Sequence, residues 1–120
     1  MPLLLLLSIG ILVVNCKENA VDSLPKDDTA IFLKKSEIYR HPLPISGDEE
    51  GASVSKQALH FKVSGIVRNK STNWQAVYFY QPKENYVGKD YVEIELRTGS
   101  NGASPPAKIS LVKISFIITE

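Results

Sequence analysis

The sequence is short of most of what catalysis or a cross-linked framework would need. Its 120 residues include one cysteine, one tryptophan and two histidines. A lone cysteine cannot close an intrachain disulfide, so no disulfide framework staples the fold. No His/Cys set stands at zinc-ligand spacing. His41 precedes Pro42 in a polar stretch and His60 sits on the polar side of an alternating run. Neither belongs to a nucleophile motif such as G-x-S-x-G, so both read as surface residues and no enzyme is expected. An excess of one charge is also lacking. Fourteen Lys and Arg stand against 13 Asp and Glu, leaving +1 spread along the chain. Phosphate backbones need a concentrated positive face, so nucleic acid is not an expected partner. No segment sustains a 3.6-residue apolar period, which argues against a helical fold.

One long hydrophobic run is present, at the N-terminus. Met1 to Val14, MPLLLLLSIGILVV, carries no charged side chain. It is shorter than the ~20 residues that span a bilayer, and it has the length of a signal-peptide core. No Lys or Arg precedes it. Residues 1–15 are therefore expected to be a signal peptide. The only cysteine, Cys16, follows at once. Val13-Val14-Asn15-Cys16 resembles a bacterial lipoprotein lipobox, with Asn15 where Gly, Ala or Ser is usual. The resemblance implies lipid attachment at Cys16; the plainer reading is a free thiol. Lys17-Glu18 is similar to the charged start of some Bacteroidetes surface lipoproteins. Attached acyl chains gain ~0.8 kcal/mol per buried CH2, and stable anchoring takes more than one chain. Residues 16–28, polar and containing Pro25, read as a tether from a lipid anchor in the bacterial envelope, at the outer membrane.

Residues 29–120 read as one domain. Period-two alternation marks its strands. Ala30 to Tyr39 is an expected first strand, and Arg40 to Ser53, with two prolines, two glycines and three consecutive acids, is expected to be loop. Ala58 to Asn69 places Leu59, Phe61 and Val63 on one face, with Gly65 as an expected bulge. Trp74, Ala76, Tyr78 and Tyr80 alternate with Gln75, Val77 and Phe79, which suggests a central strand. Tyr91 to Arg97 turns Val92, Ile94 and Leu96 inward and Glu93, Glu95 and Arg97 outward. The last strand buries Val112, Ile114, Phe116 and Ile118. Five or six strands with no helix between them imply an all-β, antiparallel sandwich.

The stretch YQPKENYVGKDYVEIEL, Tyr80 to Leu96, reads as strand end, corner and strand start. Pro82 lacks an amide proton and stops the ladder. Tyr86 can fold back over the end of the core. Gly88 supplies a positive φ, and Asp90 can accept hydrogen bonds from turn amides. Tyr80, Pro82, Tyr86, Gly88, Asp90 and Val92 together resemble the motif of bacterial Ig-like and cadherin-like repeat modules. The resemblance covers roughly Trp74 to Ile118. It implies a single Ig-like or cadherin-like β-sandwich in a surface or secreted protein. It is nearly silent on ligands, since sites are grafted onto such folds.

Cadherin-like modules sometimes hold calcium. Asp48-Glu49-Glu50 is the one acid triplet, but it lacks Asp-x-Asp loop spacing and reads as a solvated loop, so no cofactor is expected. Glu93 and Glu95 share one exposed strand face, unlike glycosidase carboxylates that oppose one another across a bond. Asn69-Lys70-Ser71 is formally a glycosylation sequon and is discounted in a bacterial lipoprotein. Aromatic side chains are the binding candidates: Trp74, Tyr86 and Tyr91, Trp74 competing with the core role of a strand-centre Trp in Ig-like sandwiches. Their neighbours would be the Pro42–Gly51 and Gly99–Pro106 loops at one end. The expected function is non-catalytic: an envelope module binding protein or glycan at the cell surface. The alternative is a structural subunit that assembles by adding a strand to an exposed sheet edge.

Overall fold

The computed structural model describes residues 26–99 and 108–120. The expected signal peptide, Cys16, most of the tether and most of the Gly99–Pro106 loop lie outside the described residues. Seven strands follow in order: β1 Lys26–Lys34, β2 Tyr39–Pro42, β3 Gly51–Lys56, β4 Phe61–Val67, β5 Val77–Pro82, β6 Gly88–Thr98 and β7 Lys108–Thr119. The described helical structure is a single 3-10 turn, Lys70–Thr72.

The strands form an all-β sandwich. One sheet has four strands in the order β1-β7-β6-β3, the other three in the order β2-β5-β4. Lettered A to G along the chain, this is A-G-F-C facing B-E-D. An Ig-like sandwich has the same arrangement, save that the first strand sits on the other sheet. The expected antiparallel pattern holds for every pair but one, since β1 runs parallel to β7 from Lys26↔Leu111 to Lys34↔Thr119. A parallel pair needs a crossover rather than a hairpin, and here the whole domain intervenes between the two strands.

The longest strands are the most cleanly alternating ones. In β6, Val92, Ile94 and Leu96 are buried; in β7, Val112, Ile114, Phe116 and Ile118 are buried, as their period-two pattern requires. Tyr80 from the three-stranded sheet stacks on Phe116 from the other, with ring centroids 3.8 Å apart and planes 6° from parallel. Tyr39 meets the edge of Phe116 at 5.8 Å. These rings tie the two sheets together across the core, and each fully buried large side chain contributes about 1.5–3 kcal/mol.

Several expectations are corrected. The run Ala30 to Tyr39 is not one strand. A polar turn at residues 35–38, with Ser36 at φ 72°, splits it into β1 and β2 on different sheets. Lys34 N–H donates to Glu37 Oε2 at 2.9 Å and Glu37 N–H donates back to Lys34 O at 3.1 Å, which closes that turn. Lys26 to Asp28, assigned to the tether by composition, already pair with β7. The stretch from Arg40 to Ser53 contains the end of β2 and the start of β3 as well as loop. The bulge in β4 lies at Lys62, between the pairs Phe61↔Pro82 and Val63↔Gln81, while Gly65 pairs regularly with Phe79. One extra residue at Lys62 moves Phe61 and Val63 to opposite faces. Phe61 packs on the core, and Val63 and Leu59 are exposed.

Candidate functional site

The two ends of the sandwich carry different chemistry. One end gathers the β1–β2 turn, the β3–β4 loop and the β5–β6 corner. The other gathers the start of β1, the β2–β3 loop and the β4–β5 loop.

At the first end Asp90 is the organising residue. It is buried on β6 and accepts four hydrogen bonds. Leu59 N–H and His60 N–H reach its two oxygens at 2.9 Å each, the Tyr80 hydroxyl at 2.8 Å, and its neighbour Tyr91 N–H at 3.0 Å. As a cap for its own turn Asp90 accepts only from Tyr91 N–H. Most of its partners instead lie on a loop some 30 residues upstream and on the opposing sheet. Burial, then the hydrogen bond to Asp90 and its charge, hold the Tyr80 hydroxyl far above the ordinary tyrosine range. Burial likewise pushes Tyr78 up to about 12, against a hydrogen bond with Ser64 that lowers it. A buried carboxylate ringed by donors in this way fixes the loop before β4 in one position.

Pro82 closes β5, opposite Phe61. Tyr86 folds back at this end, packs on the core, and donates its hydroxyl to Lys89 O at 2.6 Å. Gly88 has φ +143°, and a Cβ there would lie 2.9 Å from the Tyr86 hydroxyl oxygen. Glycine is therefore required twice over, by backbone conformation and by space. The His60 ring stacks on Tyr86, with centroids 4.2 Å apart and planes 9° from parallel.

This scaffold walls an open groove of about 460 Å³ on the outer face of the four-stranded sheet. Leu59 and His60 form one side; Lys89, Tyr91, Lys113 and Ile117 form the floor and the far side. Tyr91 is half-buried. Lys113 Nζ lies 4.8 Å and Lys56 Nζ 5.0 Å from its ring centroid, within cation–π range. Leu59 is 78% exposed although its backbone is clamped by Asp90. The groove thus combines an aromatic floor, a pinned apolar side chain and several ammonium groups. His60 reaches Asp90 through its amide, not its ring. His41 and Tyr39 sit together on β2, away from the groove, with His41 Nδ1 2.7 Å from the Tyr39 hydroxyl. Alternation had shown Tyr91 on the outer face; the groove depends on loop residues that no spacing links to it.

Trp74 lies at the opposite end. It is 60% exposed rather than in the core, because the strand begins only at Val77. Asn73 and Trp74 take φ values of 54° and 61°, the left-handed region, which breaks the alternation that would have carried Trp74 inward. Such backbone costs an aromatic residue about 1–3 kcal/mol and persists only when its surroundings impose it. Arg68 imposes it here. Its guanidinium donates to Trp74 O at 2.7 Å, to Glu50 O at 2.9 Å and to Gly47 O at 2.7 Å. Trp74 N–H donates to Asn69 O at 2.8 Å, and Asn69 caps the 3-10 turn through Ser71 N–H. The expected single cluster of binding aromatics is therefore split. Tyr86 and Tyr91 belong to one end, Trp74 and the Pro42–Gly51 loop to the other.

In that loop, Glu50 Oε1 accepts from Gly47 N–H at 2.8 Å. Among the described residues no group of three or more His, Cys, Asp or Glu side chains is placed to hold a metal ion.

No family model and no curated protein matches the chain. Among solved structures, a cysteine protease inhibitor from Entamoeba histolytica is similar in outline. It is 8% identical, with a TM-score of 0.41, and the match covers 80% of this chain and 97% of that one. A likeness at that level bears on neither fold nor function.

Proposed function

We propose that the chain is a non-catalytic, lipid-anchored module of the bacterial envelope, of the Ig-like or cadherin-like kind, which binds an acidic segment of a protein partner in the groove beside Tyr91. The observation that carries this reading is Leu59. A large apolar side chain held in water on a backbone pinned by a buried carboxylate loses little entropy when a partner covers it. Lys89 and Lys113 line the groove beside Tyr91 and favour carboxylates on that partner, with Glu93 across from Lys113 on the neighbouring strand. A protein carboxylate suits these ammonium groups better than a neutral sugar does, which favours protein over glycan as the partner. The anchor at Cys16 rests on its lipobox-like setting.

Strand addition at a sheet edge has one supporting feature. The edge strand β4 borders an open apolar hollow formed by Ile38, Val63, Gly65, Val67 and Phe79. Its edge is defended, however. The bulge at Lys62 interrupts the ladder, and Gln57 Nε2 donates to Ser64 O at 3.3 Å.

The test is a photo-crosslinking side chain placed at Leu59 and, as a control on the other sheet, at Ile38, in the native host. A discrete adduct from position 59, absent from position 38 and lost on Lys113→Glu, is the expected result. Equal labelling from both positions, or labelling indifferent to the charge reversal, would overturn the groove as the binding site. Intact mass of the membrane fraction beside Cys16→Ser tests the anchor separately.

A further inference from the structure

We infer that the Trp74 end of the domain docks against the lipid bilayer, with the Trp74 indole seated at the membrane–water interface. This rests on the lipid anchor at Cys16 and adds to it an orientation and a contact.

The direction of β1 is the first argument. Its first residue, Lys26, pairs with Leu111 near the start of β7, so the chain enters the domain at the end that holds the β2–β3 and β4–β5 loops. Only residues 17–25 separate Cys16 from that strand. Nine residues reach on the order of 30 Å when fully extended. From its first residue β1 runs about 30 Å toward the opposite end of the sandwich. With so few residues between anchor and strand, the entry end lies nearer the bilayer than the Leu59–Tyr91 groove. The orientation leaves the proposed protein site open to partners.

Trp74 is the second argument. It is the only tryptophan in the chain and stands on the membrane-facing end. Its ring is mostly exposed, while its carbonyl and amide are fixed by Arg68 and Asn69. An indole combines a large apolar surface with one N–H donor, and such side chains concentrate where bilayer meets water. The charges of this end are mixed. Asp48 and Glu49 on one loop are offset by Lys70 and Lys108 elsewhere at this end, so docking needs no anionic lipid. The occupant is a neutral lipid surface held close by the chain's own anchor.

The lone tryptophan makes its own reporter. Full-length lipidated protein would be reconstituted in phosphatidylcholine vesicles whose acyl chains carry bromine, with Cys16→Ser protein as the unanchored control. Docking predicts that Trp74 emission moves to shorter wavelength and is quenched, more by bromine near the headgroups than by bromine near the chain ends. Protein that floats with the vesicles but keeps water-like, unquenched emission would overturn the docking and leave the anchor standing. Protein that fails to float, like Cys16→Ser, would overturn the anchor and the docking with it.

Discussion

Each end of this sandwich is held by one ionisable side chain that gathers backbone from separate elements. At the groove end Asp90 accepts from two loop amides, one hydroxyl and its neighbour's amide. At the Trp74 end Arg68 donates to three carbonyls drawn from two loops. The difference lies in water. Asp90 is buried, and Arg68 is half-buried. Remove Asp90 and the buried Tyr80 hydroxyl keeps only His60 O, at 3.2 Å, while the part-buried amides of residues 59 and 60 lose their acceptor; remove Arg68 and the exposed bond to Trp74 O passes to solvent. The same kind of knot is thus indispensable at one end and adjustable at the other.

The largest effect should come from Asp90→Ala. Leaving the Tyr80 hydroxyl with only its longer bond to His60 O, and two part-buried loop amides without their acceptor, should cost about 2–4 kcal/mol. Urea unfolding measures this, and hydrogen exchange at the amides of residues 59 and 60 should quicken first. A loss under about 1 kcal/mol would mean that water replaces the carboxylate, and the contrast between the ends would disappear.

Tyrosine titration sharpens the same contrast next. Tyr39, Tyr78 and Tyr80 all have hydroxyls raised above the ordinary value of 10.0, chiefly by burial. The folded state keeps protons that the unfolded chain gives up above that pH. Stability should therefore be fully present below pH 10 and fall as pH rises from 10 toward 12 and beyond. Tyr80→Phe should flatten the slope. An unchanged slope in that variant would remove Tyr80 from the account.

How far these knots are legible in the sequence depends on distance along the chain. Alternation alone places Val92, Ile94 and Leu96 inward on β6, and Ile114 and Phe116 inward on β7, because each face repeats every second residue in an uninterrupted run. The corner from Pro82 to Gly88 is legible for the same reason, since each role there is local. Asp90 is legible as a turn residue but not as a clamp. Its partners Leu59 and His60 come close only once β4 has paired with β5. Lys62 defeats alternation in another way: a bulge shifts the phase without leaving a glycine to mark it. Trp74 fails because two left-handed residues sit where the apolar pattern continues unbroken. The parallel pairing of β1 with β7 has no local signature at all.

Arg68→Ala should cost less than the Asp90 change, about 1–2 kcal/mol, as three carbonyls exchange a guanidinium for water. Arg68→Lys should recover less than half, because an ammonium lacks the fork that reaches three acceptors at once. If Arg68→Ala matched the Asp90 loss, the Trp74 end would be as enclosed as the groove end. Chemical denaturation of the three proteins decides it.

The smallest effect should have the opposite sign. Trp74 pays for a left-handed backbone with little burial in return. Trp74→Ala keeps the Cβ that makes this backbone unfavourable and should leave stability nearly unchanged. Trp74→Gly removes the Cβ and should stabilise the domain by ~0.5 kcal/mol, because the relief of roughly 1–2 kcal/mol exceeds what a flexible glycine costs in the unfolded chain. A thermal melt of the two variants separates these outcomes. Gain from glycine alone would mean that the sequence holds an exposed indole in a strained turn at a net cost in stability. That is the pattern expected of a contact residue and not of a packing residue. Loss in both variants would instead give Trp74 a structural role at its own end, and the two ends would then differ in chemistry but not in purpose.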